Sequence, residues 1–319
     1  MSVPGDRPLP EDANPLGRSV ARVARHVIWA RRDGAARLVE EDRLDPRVRA
    51  REAVARWRWR RAHPGPSGSA RAVFLVGAQR SGTNMVVRGL ESSPEFEVHN
   101  ENDRRVFERF QLRSDAVVRA TVENSRHRFV LFKPLCDSHR ADHLLDGLGL
   151  SRPPHAIWAY RSVDGRARSA VAKFGDVNRR VLTEIAAGRG AGKWQAGGLP
   201  ERTLQLIRDV DPAGLSPESA AALFWYARNS LLFALGLDRR ADVTVVSYEA
   251  MVADPEKTMR PLCDALGVAY DDALVAHIDA RAAGSGRPLE LDPRVRAACD
   301  ELTEALDAVA ARHRQAQRT

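Results

Sequence analysis

Residues 73–86 read V-F-L-V-G-A-Q-R-S-G-T-N-M-V. An apolar run ends at Gly77, a polar loop carries a second glycine at Gly82, and Thr83 and Asn84 lead back into apolar residues. The pattern is a strand, a tight loop and the start of a helix. Such a loop suits an anion. The backbone N–H groups of residues 81–83 fall at a helix N-terminus, where the helix dipole and the unpaired donors favour phosphate or sulfate. A nucleoside-triphosphate loop of the form G-x-x-x-x-G-K-[ST] requires a lysine between Gly82 and Thr83. None is there, and the cation is instead Arg80, inside the loop. The loop is shaped for an anion but lacks the group that reaches a β/γ-phosphate pair.

Two further stretches invite chemistry. Residues 188–194, G-R-G-A-G-K-W, resemble a nucleotide loop, but the spacing would need glycine where Ala187 stands and Ser or Thr where Trp194 stands. They read as a loop closing over cofactor or acceptor, with Arg189 and Lys193 as anion contacts, or as plain surface. His139 and His143 lie four apart, with Cys136, Asp137 and Asp142 nearby, so one helical face could offer two imidazoles to zinc. The glutamate of H-E-x-x-H is missing and no closing ligand stands out. A solvated helix start is the better reading, and no metal is expected.

These residues need a frame to hold them. Strands are predicted over 72–76, 96–99, 128–132, 155–160 and 242–247. Helices are predicted over 83–91, 104–123, 140–148, 164–174, 216–235, 255–266 and 293–314. Short apolar strands alternating with helices predict an α/β fold: three layers, α/β/α, around a central parallel sheet covered on both faces. No internal repeat or low-complexity tract interrupts it.

Ahead of this frame, residues 1–15 are rich in Pro, Asp and Gly and read as disordered. Residues 16–62 read as basic helix ending in R-W-R-W-R-R, and H-P-G-P-S-G-S, residues 63–69, as a linker. The division is therefore a disordered 1–15, a helical extension and linker over 16–69, and a main domain over 70–319. The tryptophans of the extension either pack on the main domain or sit on an anionic lipid surface.

The chain of 319 residues carries a net charge of +8, which favours anionic partners. Much of this charge is arginine, a residue that a GC-rich genome also enriches, so charge alone decides little. Cys136, Cys263 and Cys299 are far apart and odd in number, as expected for a reduced cytoplasmic compartment rather than a disulfide framework. The N-terminus has no apolar core of a secretory signal, and no apolar run is long enough to span a membrane.

With its basic residue followed by Ser-Gly-Thr, the first loop resembles that of the sulfotransferase family, which uses 3′-phosphoadenosine-5′-phosphosulfate (PAPS). Arg80 in place of lysine fits the bacterial and Golgi-type branch. The resemblance implies that Arg80, Ser81, Gly82, Thr83 and Asn84 bind the 5′-phosphosulfate. A second signature of the family is an arginine at a strand end and a serine eight residues on in the next helix. In H-A-I-W-A-Y-R-S-V-D-G-R-A-R-S, residues 155–169, these are Arg161 and Ser169, which would bind the 3′-phosphate. A third segment, V-S-Y-E-A-M-V-A-D-P-E-K-T-M-R-P-L-C-D-A-L-G-V over residues 246–268, is similar to the family's Tyr-Glu segment and implies Tyr248 near the adenine. Within it, Asp254 and Pro255 read as an N-cap followed by proline at the first helical position.

Family members carry a His or Glu base just after the second strand. Here F-E-V-H-N-E-N-D, residues 96–103, offers His99, Glu101 and Asp103, with Glu101 preferred over His99. Glu101 and Asp103 read alternatively as caps of a helix starting near residue 104. Lys133, at the end of F-V-L-F-K-P, would touch the sulfate or order the acceptor, or would be a solvated strand end. Ser285 and Arg287 are weak candidates near the 3′-phosphate, because the sequence departs from the family pattern there.

The implied reaction is sulfuryl transfer from PAPS, the co-substrate, to an acceptor hydroxyl, without a metal. The acceptor would be a small molecule, saccharide, lipid or peptide, with residues 100–125 and 175–215 shaping its pocket. Nucleic acid is not among the implied partners, and contact with a membrane surface would come from the basic N-terminal helices. The alternatives are a divergent kinase using ATP and Mg²⁺, which would need an acidic residue at a strand end, and a non-enzymatic basic anion-binding protein.

Overall fold

The structure, a computed structural model, describes residues 46–63, 68–279 and 287–316. It divides into two units, one ending at Ala62 and the other running from His63. In the first unit the described element is helix α1 (Pro46–Ala62), in which Trp57 is exposed and Arg61 lies 5.5 Å over its ring. The expected disorder of residues 1–15, the extension before residue 46 and the linker residues 64–67 lie outside the described residues.

The second unit is built on five parallel strands: β1 (Arg71–Gly77), β2 (Phe96–His99), β5 (Phe129–Phe132), β6 (His155–Tyr160) and β7 (Val243–Ser247). Their order across the sheet is β2-β5-β1-β6-β7. A two-residue hairpin, β3 (Phe107–Glu108) with β4 (Gln111–Leu112), stands apart. Helices in chain order are α2 (Thr83–Ser92), α3 (Asp115–Asn124), α4 (Ala141–Asp146), α5 (Val163–Phe174), α6 (Val177–Ala186), α7 (Glu201–Asp209), α8 (Pro217–Asn229), α9 (Leu231–Ala234), α10 (Tyr248–Ala253), α11 (Pro255–Leu266) and α12 (Pro293–Ala316).

Strand β1 has apolar residues on both faces because it is buried on both faces, as the continuous V-F-L-V run requires. Phe74 and Val76 join a core with Phe132, Trp158 and Trp225. Val73 and Leu75 join the opposite core, with Leu131, Ile157 and Leu262. The two cores are the interfaces of a three-layer α/β/α fold, as the alternation of apolar strands and helices predicts. The run of small and aromatic residues in α8 explains why it is buried on all sides from Ser219 to Asn229.

Three expectations about local structure change. A helix over residues 104–123 does not form. Helix begins only at Asp115, and the preceding stretch folds into turns and the β3–β4 hairpin, reversing at Arg109 and Phe110 with φ of 49° and 68°. Val106, Phe107 and Leu112 are thereby buried, and Asp137 Oδ2 accepts a hydrogen bond of 2.8 Å from the Leu112 amide. Glu101 and Asp103 consequently cap no helix at residue 104. The helix expected over 216–235 is divided at Ser230 into α8 and α9. Helices α6 and α7 fill a region for which no helix was expected.

Gly77 closes β1 where it abuts Ala159 of β6. A Cβ on Gly77 would stand 2.3 Å from the Ala159 carbonyl oxygen, at a φ of 120°. Gly77→Ala should therefore destabilise the fold by at least about 2 kcal/mol, through strained backbone and an enforced shift of the central strand pair. Chemical denaturation of both proteins measures this.

Candidate active site

Many of the residues singled out for chemistry follow the carboxyl ends of the five parallel strands, while His99 closes β2 itself and Ser169 lies within helix α5. Arg80–Asn84 come after β1, Glu101 after β2, Lys133 directly after β5, Arg161 directly after β6 and Tyr248 directly after β7. A parallel sheet gathers whatever follows its strands onto one edge, which is where open α/β sheets bind ligands.

The loop after β1 is shaped by its backbone. Arg80 and Gly82 both have positive φ, 70° and 79°. A Cβ on Gly82 would lie 2.5 Å from Tyr248 Cδ2, so only glycine lets Tyr248 close against the loop. The Gly77 amide donates to Ser138 Oγ at 2.9 Å, and that hydroxyl donates back to the Gly77 carbonyl. Arg80 Nε donates to Ser169 Oγ at 2.9 Å, so the two loci that the sequence separates by eighty-nine positions touch. Ser81 is buried and its Oγ has no hydrogen-bond partner. Thr83 opens helix α2 and is buried as well.

Arg161 lies with its guanidinium 4.1 Å over the Tyr248 ring, and its carbonyl accepts from Trp225 Nε1 at 2.8 Å. Its Nε is buried without a partner. Gly165, one helical turn on, makes the space: a Cβ there would stand 2.9 Å from Arg161 Nε and from Ser162 Oγ. Glu249, the carboxylate after β7, accepts from the Ser162 amide at 3.0 Å and so fixes the start of α5. A strand-end acid does exist, then, but it is engaged in this hydrogen bond.

On the other side of the loop Lys133 donates to Asn84 Oδ1 at 2.8 Å and lies 3.7 Å from Glu101. Lys133 is thus no solvated strand end. Burial lowers its pKa, against the pull of Glu101. Burial likewise pushes the Glu101 carboxyl upward, and Lys133 opposes that without cancelling it. His99 is held differently. Its Nδ1 is 2.7 Å from Asp103 and its Nε2 is 3.2 Å from Glu97, and the ring is buried against Phe132. Burial disfavours the imidazolium, yet the hydrogen bonds to Glu97 and Asp103 win and raise the His99 pKa. Burial also works against the Glu97 carboxylate, but hydrogen bonds from His99 and Ser125 bring its pKa down to about 2. Both nitrogens of His99 are therefore occupied, whereas Glu101 sits beside the cations.

The remaining candidates are engaged elsewhere. Arg189 and Lys193 both pair with Glu184, at 2.7 and 3.6 Å. His143 lies 2.6 Å from Asp115, and His139 is 3.1 Å from the Cys136 carbonyl. Among the described residues no cluster of three potential metal ligands occurs. Arg287 lends its carbonyl to Arg168, and Ser285 lies outside the described residues.

Sequence reasoning missed Gly165, Glu249, Ser138 and Arg166. Arg166 is fully buried, donates from Nε to the Gln79 carbonyl at 3.2 Å and from Nη1 to the Ala221 carbonyl at 2.7 Å. A signal existed: Arg166 is three residues before Ser169 and so shares its helical face.

Comparison with known proteins bears on the second half of this site. Residues 207–272 match the model of a sulfotransferase family. That segment contains α8, β7, Tyr248 and α11, and excludes the loop after β1. No curated protein matches the chain significantly. Similar solved structures include a sulfotransferase from Alicyclobacillus acidocaldarius, 18% identical over 80% of this chain and 99% of that one, with a TM-score of 0.43. The sulfotransferase domain of a Synechococcus olefin synthase is 17% identical over 76% and 97%, with a TM-score of 0.42. The sulfotransferase domain from the curacin biosynthetic pathway is 14% identical over 73% and 98%, with a TM-score of 0.46. The family that the three sequence segments resemble and the family whose model matches here are one and the same, the sulfotransferases.

Proposed function

We propose that this protein transfers a sulfuryl group from PAPS to an acceptor hydroxyl. The observation that carries the reading is the cluster formed by Arg80, Ser169, Arg161, Lys133 and Glu101 at one sheet edge, in which Arg80 joins the loop to Ser169 at 2.9 Å. The residues fit the co-substrate. The unpartnered Ser81 Oγ and Arg161 Nε are buried polar atoms that an anionic ligand would satisfy. Arg80, the backbone of residues 81–83 and Lys133 would hold the 5′-phosphosulfate, Arg161 and Ser169 the 3′-phosphate, and Tyr248 would lie by the adenine. PAPS supplies an activated sulfuryl group with a bisphosphate leaving group.

Glu101 takes the proton of the acceptor hydroxyl on a carboxylate oxygen. Its raised pKa makes it a stronger base than an ordinary carboxylate. Lys133, 3.7 Å away, keeps it ionised and orients it, and with Arg80 it provides fixed positive charge where negative charge develops. His99 serves as a strut: it ties β2 to the turn at Asp103 and so positions Glu101 between them. The acceptor is a small molecule, saccharide, lipid or peptide, and the chain works in the cytoplasm. The exposed Trp57 among the arginines of α1 supports contact of the extension with an anionic membrane surface.

Calorimetry with 3′-phosphoadenosine-5′-phosphate (PAP) tests the cofactor. Wild type should bind at micromolar Kd, Arg80→Ala and Arg161→Ala should each lose tenfold or more, on the scale of about 1.5–3 kcal/mol for a hydrogen bond to a charged group, and ATP with Mg²⁺ should not compete. Preference for ATP would overturn the reading in favour of a kinase.

The base assignment separates Glu101 from His99. Glu101→Gln should lower kcat by about 10²–10⁴-fold, the usual worth of a general base. The base form is lost as pH falls through the raised Glu101 value, so the acid limb of kcat should lie above the ordinary carboxylate range. Lys133→Met removes the opposing cation and should move that limb to still higher pH.

His99→Gln should instead mainly cost stability. The folded-state His99 pKa is raised, so its contribution is fully present below its unfolded value near 6.5 and is lost as pH rises through the folded value. The difference in Tm between wild type and His99→Gln should shrink with rising pH over that window, while kcat stays within about tenfold. A kcat loss in His99→Gln equal to that in Glu101→Gln would reverse the assignment.

A further inference from the structure

Helix α5 grips the loop after β1 at two successive residues. Ser169 accepts from Arg80, and Arg166, three positions earlier on the same face, donates to the Gln79 carbonyl. Arg166 is 0% exposed. From behind, helix α8 supplies the Ala221 carbonyl at 2.7 Å and the Phe224 ring, with the guanidinium 5.2 Å from its centroid. Arg166 Nη2 is buried and has no partner at all. No carboxylate among the described residues pairs with this side chain, and its charged neighbour is another cation, Arg80. Burial and, after it, Arg80 push the Arg166 pKa down to about 9, so that at neutral pH the group stays charged.

A buried charge of this kind is costly unless something compensates it. Two carbonyl dipoles and one ring face are modest compensation for a fully desolvated guanidinium with an adjacent like charge. Elsewhere the same fold pairs its arginines readily: Arg240 lies 2.7 Å from both Asp146 and Asp242, and Arg296 lies 2.7 Å from Asp164. Among the described residues the other fully buried arginine, Arg228, is likewise without an ion pair, but Asp137 is among the charges that act on it, whereas the charge acting on Arg166 is the cation Arg80.

We infer that Arg166 belongs to the anion site as a buried positioning cation: it sets the loop through the Gln79 carbonyl, and its missing counter-charge is the phosphate- and sulfate-bearing ligand held above that loop. This rests on the sulfotransferase reading for the identity of the ligand, but not for its charge. A ligand lacking multiple negative charges would leave Arg166 without a counter-charge, so the site selects polyanions. The charge of Arg166 acts on the loop, through the Gln79 carbonyl, rather than on reacting atoms.

The experiment uses the full chain in three forms, wild type, Arg166→Lys and Arg166→Met, with two probes, PAP and inorganic pyrophosphate. Calorimetry gives Kd, and thermal melts give the Tm shift at saturating probe. The expected result is a tenfold or greater loss of PAP affinity in Arg166→Met, a smaller loss in Arg166→Lys, which keeps the charge but not the fork, and a pyrophosphate-induced Tm shift present in wild type and reduced in Arg166→Met. PAP affinity in a folded Arg166→Met within twofold of wild type overturns the inference. In case the methionine variant does not fold, the Arg166 Nε–H resonance in wild type, assigned by its disappearance in Arg166→Lys, is followed during titration. A shift with pyrophosphate supports the inference, and an unmoved resonance at saturation overturns it. A wild type stabilised by pyrophosphate but indifferent to PAP removes the nucleotide reading, and loss of that stabilisation in Arg166→Met still supports the role of Arg166.

Discussion

Positive charges converge at one edge of the sheet and must be held against their mutual repulsion. Arg80, Lys133, and the pair Arg161 and Arg166 arrive after three different strands, and β1, at the centre of the order β2-β5-β1-β6-β7, puts the loop between them. Three of them are restrained by groups that leave most of their charge unspent: an amide oxygen of Asn84 for Lys133, the Tyr248 ring for Arg161, and backbone carbonyls for Arg166. Glu101 is the carboxylate placed near enough to Lys133 to matter, at 3.7 Å, longer than a good ion pair. Full pairing of these cations would stabilise the empty fold and spoil it for an anion. The rigid, doubly covered sheet supplies what the repulsion takes away, because burial of both faces of β1, β5 and β6 fixes where each strand ends.

Much of this was legible in the sequence, for a physical reason. A strand buried on both faces must be largely apolar, so 72–76, 128–132 and 155–160 announce themselves, and the first polar residue after each run is forced to the sheet edge. Arg161 and Lys133 stand at the site because the apolar runs stop there. Gly77 and Gly82 were legible from their spacing between an apolar run and a helix start, and the structure adds the reason: each lies where a Cβ would meet Ala159 or Tyr248.

What was not legible was decided by tertiary contacts. Residues 104–112 have enough apolar spacing to pass for a helix, but the turn at Arg109 and Phe110 buries Val106, Phe107 and Leu112 together, and Asp137, distant in sequence, completes the hairpin. Local propensity has no access to that acceptor. Arg166 was hidden for a similar reason. An arginine in a basic helix looks solvated until α8 is known to cover it. Gly165 beside it was the visible irregularity, since glycine inside a helix costs stability and needs a reason. The reason is Arg161, whose guanidinium occupies the space a side chain would fill.

The division between Glu101 and His99 illustrates how placement overrides residue type. By intrinsic pKa the imidazole is the better proton acceptor near neutral pH. Its two nitrogens, however, are bracketed by Glu97 and Asp103, and both carboxylates stabilise the imidazolium. A protonated ring with both N–H groups engaged has no lone pair to offer. Glu101 has the reverse situation: burial makes it more basic than a free carboxylate, and Lys133 opposes that rise without cancelling it. Moving the base two residues along the chain from the imidazole to the carboxylate carries it from a neutralised strut to the rim of the cation cluster. In the proposed reaction Lys133, 3.7 Å from Glu101, would offer fixed positive charge beside the carboxylate that takes the proton. A carboxylate is the better choice in that setting, because its own negative charge contributes to holding Lys133 in place until the proton arrives.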